Sequence, residues 1–81
     1  MNMEHRLVSK YQEVVSHFGS QSSTARALGV SQPSVFSWVK GLTVMSEKVA
    51  IRTQKVTDGK FKAADLCPSL RELEEIDLSK N

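Results

Sequence analysis

The chain of 81 residues carries 11 Lys and Arg against 9 Asp and Glu, with 40% apolar and 25% charged residues, which is typical of one small globular domain. This composition excludes a collagen, a low-complexity chain and a disulfide scaffold, and no apolar run approaches the roughly 20 residues of a membrane span. Cys67, His5 and His17 are too few soft ligands for a tetrahedral zinc site. We therefore expect no metal, no cofactor and no membrane partner, and a binding role rather than a catalytic cleft.

Charge is unevenly distributed along the sequence. Residues 1–62 hold nine basic and four acidic residues, a net charge of +5, whereas residues 63–81 hold two basic and five acidic ones, a net charge of −3. A basic body favours a polyanionic partner, although a few lysines on a solvated face would give the same count.

Apolar residues at helical spacing predict a first helix that ends at Gly19. They share one face and are Leu7, Val8, Tyr11, Val14, Val15 and Phe18. A second helix is predicted over Gln21–Leu28, with Ser20 as its N-cap. Gly29 follows it, and glycine readily adopts the positive φ that turns a chain sharply after a helix.

A third helix is predicted over residues 32–40. Ser31 is its capping candidate, and Pro33 falls in the first turn, where its missing N–H costs nothing. Three residues at helical spacing point inward, namely Val35, Trp38 and Val39. Gly41 then ends the helix.

A fourth helix is predicted between its cap, Ser46, and a stop at residues 58–59. Its apolar face carries Val49, Thr53 and Val56. Residues 61–66 are either one helical turn or a short extended piece, before the break at Pro68. Beyond it, the spacing of Leu70, Leu73 and Ile76 permits a short amphipathic helix, and fraying of this polar terminal segment is the alternative.

Helices 2 and 3 have the features of a helix-turn-helix. They are joined by about three residues, Ala25 is small enough for helix 3 to cross close above helix 2, and Gly29 makes the turn. The segment 15–41, VSHFGSQSSTARALGVSQPSVFSWVKG, resembles the Cro-type repressors of lambdoid phages and prophages, including the related Cro-like antitoxin group. The shared features are the HFG before helix 2, the glutamine that opens it, the ALGVSQ turn and the Trp-X-Lys-Gly ending. The resemblance is good over roughly residues 7–58.

This resemblance implies that helix 3 lies in the major groove and that a dimer reads a near-palindromic operator to block transcription. The expected fold is all-α, a lambda-repressor-like bundle of four to five short helices, whose C-terminal part is either a short helix or a hairpin. We assign residues 1–68 to the helix-turn-helix DNA-binding domain and residues 69–81 to an acidic tail, ordered or disordered.

The outward side chains of helix 3 carry the expected chemistry. Gln32 can pair with adenine N6 and N7, Ser37 can reach a base or a phosphate, and Phe36 or Pro33 can contact a thymine methyl group. Helix 2 begins at Gln21 with an N-terminus suited to a phosphate, and Lys40 is placed for a second phosphate. The predicted DNA-binding residues are Gln21, Ser31, Gln32, Pro33, Ser34, Phe36, Ser37 and Lys40.

Each assignment has a purely structural alternative. Gln32 and Ser37 could be solvated residues without a ligand, and Phe36 could belong to the core if helix 3 is slightly rotated. Ser31 is better explained as a cap than as a ligand. Cys67 is expected to be a small buried residue.

The sequence supports three function classes to different degrees. The first is a repressor in the cytoplasm of a bacterial host, which binds double-stranded operator DNA as a homodimer that is weak when free. The second is an antitoxin-type protein whose main role is to bind a partner protein, with the acidic tail from Arg71 onward wrapping it. The third, an enzyme, lacks a nucleophile–base pair, a carboxylate pair and a cofactor loop, so no small-molecule substrate is expected. The dimer surface is expected after helix 4, through Phe61, Leu66 and Leu70.

Overall fold

A computed structural model describes the backbone of residues 3–73 and the side chains of residues 6–73. The helices are α1 Met3–Phe18, α2 Gln21–Leu28, α3 Gln32–Val39, α4 Glu47–Val56 and α5 Ala63–Leu66, and residues 68–73 are also helical. No strand occurs in this part of the chain. The expected all-α fold is confirmed, and the hairpin alternative is wrong. Ile76 and the side chain of His5 lie outside the described residues.

The described residues fall into two units that divide after Val44. In the N-terminal unit, α1 packs against α2 and α3, and α2 packs against α3. The rings of Tyr11 and Trp38 lie with centroids 6.0 Å apart, so Trp38 covers α1 as expected. The other buried apolar residues of this unit are Val14, Ala25, Leu28 and Val35. The expected boundary of the acidic tail at residue 69 stays a prediction.

Local capping sets the ends of α2 and α3. Ser20 accepts a hydrogen bond from the Ser23 N–H at 3.0 Å, and Gly29 ends α2 in the left-handed region at φ 67°. Beyond α3, Gly41 has φ 76°, and a Cβ atom there would lie 3.2 Å from Cγ2 of Val8. Gly41 is therefore required both by its backbone conformation and by the close approach of α1.

The C-terminal unit has a core built partly from threonines. Thr53 is fully buried and its hydroxyl donates to the Val49 carbonyl at 2.8 Å, and the hydroxyl of Thr57 donates to the Thr53 carbonyl at 2.7 Å. The inner face of α4 therefore runs through Ala50 and Thr53 and continues to Thr57, the residue that caps the helix. Val56, predicted on that face, is 49% exposed, and that assignment is wrong because internally bonded threonines occupy the buried positions.

The segment after α4 contributes buried side chains to the protein. Phe61 and Leu66 are buried, at 5% and 0% exposure, and Leu70 is half-buried. The expectation that these residues form the dimer surface is wrong for Phe61 and Leu66, because neither side chain lies at the surface of the protein. Cys67 is buried as expected.

Two side-chain hydrogen bonds tie this segment to α4. The Ala63 N–H donates to Oε1 of Gln54 at 2.8 Å, at the start of α5. The Ser69 hydroxyl donates to Oε2 of Glu47 at 2.6 Å, in the first turn of α4. Within residues 3–73, no helix has the length and apolar character to cross a membrane.

Candidate nucleic-acid interface

The first turn of α3 is fixed by paired serines. Oγ of Ser31 accepts a hydrogen bond from the Ser34 N–H at 3.3 Å and lies 3.0 Å from Oγ of Ser34. Pro33 occupies the first turn, where no intrahelical N–H donor is needed. The interpretation of Ser31 as a helix cap is confirmed, and the pair sets the direction in which α3 begins.

The two faces of α3 differ sharply in exposure. Val35 is fully buried and Trp38 is 5% exposed, whereas Phe36 is 45% exposed. The alternative that places Phe36 in the core is therefore wrong. The Lys40 ammonium lies 5.6 Å from the centroid of the Phe36 ring, within cation–π range. This face therefore combines an apolar surface with a positive charge.

Gln32, the first residue of α3, is exposed, yet its side chain makes a hydrogen bond to α2. Its Oε1 accepts a hydrogen bond from the hydroxyl of Ser22, in the first turn of α2, at 3.1 Å. Ser22 is absent from the residues predicted from the sequence. The two residues are ten positions apart, so only the packing of α2 against α3 brings them together. In the sequence, the one sign of this contact is that both residues belong to the first turns of neighbouring helices.

Neither helix of the motif has an acidic residue in its first turn. The positive ends of the α2 and α3 dipoles are therefore not neutralised by a carboxylate on the same turn. At α2 the exposed Ser20 hydroxyl bonds Oγ of Ser23 at 3.1 Å, and Gln21 is half-buried beside it. An uncompensated helix N-terminus with N–H and hydroxyl groups can bind an anion such as a phosphate.

The structure brings some of the predicted site residues together and leaves others apart. Seven of them lie on α3 or at its two ends, in the stretch from Ser31 to Lys40. Ser31 contacts Ser34, and Phe36 contacts Lys40. Gln21 lies on α2, and among the described residues no hydrogen bond joins its side chain or that of half-buried Ser37 to the rest of the set.

The sequence profile of the family described as DNA-binding transcriptional regulator Cro matches residues 10–72, well over half of the chain. The chain belongs to this Cro family. The Cro match includes both helices of the motif and the exposed face of α3. It also extends through α5, beyond the region of residues 7–58 in which the resemblance is evident from the motifs alone.

Two phage proteins named regulatory protein cro are similar to the chain. That of Pseudomonas phage D3 is 56% identical over 59 residues, which cover 73% of this chain and 81% of the phage protein. That of Salmonella phage P22 is 42% identical over 50 residues, covering 62% and 77%. The putative transcriptional regulator YdaS of Escherichia coli strain K12 is 32% identical over 60 residues, covering 74% and 61%. No solved structure matches the chain significantly.

Proposed function

We propose that this Cro-family protein is a sequence-specific transcriptional repressor that reads operator DNA with α3 in the major groove. The observation that carries the proposal is the division of α3 into a buried face, Val35 and Trp38, and an exposed face, Gln32, Phe36 and Lys40. Packing holds the helix rigidly on α1 and α2 while its outer side chains remain available to base edges.

The exposed face supplies the groups that a major-groove reader needs. The amide of Gln32 forms a bidentate pair with adenine, and Phe36 or Pro33 contacts a thymine methyl group. Ser37 reaches a base or a phosphate. These contacts read sequence, whereas contacts to phosphates position the protein on the duplex.

Phosphate binding is assigned to helix ends and to one lysine. The N-terminus of α2 at Gln21 carries no carboxylate in its first turn, and the exposed Lys40 adds a positive charge. Ser31 and Ser34 share one hydrogen bond between their hydroxyls, which leaves the second hydroxyl hydrogen of the pair to donate to a phosphate.

The protein binds as a homodimer on an inverted repeat in the bacterial cytoplasm, because one recognition helix covers too few base pairs to select a site in a genome. The two α3 helices then enter successive major grooves about 34 Å apart. In the described part of the N-terminal unit, the large apolar side chains exposed outside α3 are Leu42 and Val44, at 69% and 52%. We assign the weak dimer contact to this loop.

The proposal is tested by selecting a binding site from random duplex DNA and titrating salt against the selected and the random sequence. A repressor gives a selected site bound about 10³-fold or more above random DNA, and both affinities fall steeply with salt because phosphate contacts release counterions. Failure to enrich any site, together with an affinity insensitive to salt, contradicts the proposal. A partner protein bound only when residues 71–81 are present would then favour the antitoxin-type role.

A further inference from the structure

One hydrogen bond joins the two helices of the motif at their exposed first turns. The Ser22 hydroxyl on α2 donates to Oε1 of Gln32 on α3 at 3.1 Å. Gln32 is otherwise a long, exposed side chain with three rotatable bonds, whose amide would sample many positions in the absence of a partner.

We propose that Ser22 is a positioning residue, which holds the Gln32 amide in place for base readout. The inference rests on the proposed function, because it assigns the role of Ser22 through the base contact of Gln32. Ser22 itself is assigned no contact with a base.

The chemistry of the amide allows both contacts at once. Oε1 has two acceptor lone pairs and Nε2 carries two N–H donors. The Ser22 hydroxyl occupies one lone pair, and the bidentate pair with adenine needs one acceptor site and one N–H. Ser22 therefore tethers the amide without removing the groups that adenine requires.

The hydrogen bond from Ser22 to Gln32 is already formed in the free protein, before DNA binds. Part of the ordering of Gln32 then takes place when the protein folds, so less conformational freedom is lost on binding. The selected base pair gains from this ordering, whereas random DNA, which makes no bidentate pair with Gln32, does not. Ser22 should therefore affect discrimination at one base pair more than affinity for DNA in general.

The test measures the full chain on two duplexes, the selected operator and the same operator with the A·T pair read by Gln32 replaced by G·C. We expect Ser22→Ala to reduce the affinity ratio of these duplexes about 3- to 10-fold, the effect of one net hydrogen bond. Ser22→Thr, which retains the hydroxyl, should restore most of the ratio. Ser16→Ala, the same change at an exposed serine of α1, is the control and should leave it unchanged.

The double variant separates positioning from a direct role of Ser22 in binding. In a Gln32→Ala background, Ser22→Ala should have no further effect, because the group that it positions is gone. If Ser22→Ala instead weakens binding to both duplexes equally, or acts independently of Gln32, Ser22 contacts DNA itself and the proposal is overturned.

A measurement on the free protein keeps this inference distinct from the proposed function. The side-chain amide of Gln32 should show restricted ¹⁵N relaxation in the wild-type protein and in Ser22→Thr, and greater mobility in Ser22→Ala. Unchanged mobility in Ser22→Ala overturns the positioning role. If mobility rises as expected but Gln32→Ala leaves discrimination intact, base readout by Gln32 is wrong and the proposed role of Ser22 fails with it, while the contact itself stands.

Discussion

Two large aromatic residues, two positions apart on α3, lie in different environments. Trp38 is 5% exposed and packs on Tyr11, whereas Phe36 is 45% exposed beside Lys40. The first ring stabilises the fold, and the second lies at the surface, where the proposed function assigns it to DNA. We therefore expect a substitution at Trp38 to lower the stability of the fold, and a substitution at Phe36 to weaken binding with little effect on stability.

We expect Trp38→Ala to lower the free energy of unfolding by about 3 to 5 kcal/mol, a large part of the about 5 to 15 kcal/mol that holds a small domain. Phe36→Ala, its matched control, should leave the melting temperature within a few degrees while weakening operator binding. Thermal denaturation followed by circular dichroism checks both. A Trp38→Ala protein that melts like the wild type would contradict the packing described for α1 and α3.

Substitutions of Gln32 and Lys40, at opposite ends of α3, should affect DNA binding in different ways. Gln32→Ala should cost about 1 to 3 kcal/mol on the selected site and relax discrimination at one base pair. Lys40→Ala should weaken binding to all DNA alike and reduce the salt slope by about one. Binding isotherms on selected and random duplexes at several salt concentrations make the comparison. Equal effects of both changes on both duplexes would exclude base readout by Gln32.

At the scale of the helices, the boundaries could be predicted because their signals are local. Serine caps and glycine stops act within three or four residues, so Ser20, Ser31 and Gly29 marked the ends of α2 and α3. The identity of each buried face was harder to predict. Thr53 and Thr57 are polar in sequence, yet their hydroxyls bond the preceding turn and are buried, which leaves Val56 outside.

Some features of the candidate site could be predicted from the sequence and others could not. Helical periodicity placed Phe36 on the outer face of α3, where it is exposed, whereas Ser37, placed on the same face, is half-buried. The contact between Ser22 and Gln32 depends on how α2 packs against α3. The burial of Phe61 and Leu66 likewise depends on tertiary packing. Such tertiary contacts have no signature in a periodicity of three or four residues.

The caps of α3 and α4 form a matched pair for testing what α3 does. Ser31 and Ser46 each accept a hydrogen bond from the N–H three residues on, both at 3.3 Å. Replacing either with alanine should cost about 1 kcal/mol of stability, measured by denaturant unfolding. Only Ser31→Ala should also weaken operator binding, because it loosens the first turn of α3 and removes one of the two hydroxyls assigned to phosphate binding. If Ser46→Ala weakened binding as much at temperatures where both variants are folded, the effect would not be specific to α3.

At the scale of the whole molecule, the proposed dimer on DNA is assigned a small apolar contact. Phe61 and Leu66 are buried, whereas the most exposed large apolar side chains of the described residues are Leu42, Val44 and Leu73, at 69%, 52% and 53%. Leu42 and Val44 are the contact that we assign between copies. Leu42→Ser with Val44→Ser should remove most of the advantage of a full inverted repeat over a half-site, with half-site affinity and melting temperature nearly unchanged. Electrophoretic mobility shifts on both duplexes measure this advantage. Retention of the full-site advantage would place the contact elsewhere.

The separation of the two faces of α3 also bears on how such a regulator can diverge. The residues that hold the helix in place, Val35 and Trp38, are not the ones that face outward, Gln32, Phe36 and Lys40. Exchanges on the outer face can therefore accumulate without loss of the fold, since exposed positions contribute little to stability. If the outer face reads the operator as proposed, duplicated copies of such a gene can acquire separate operators within one cell through a few surface substitutions that leave the core of the fold intact.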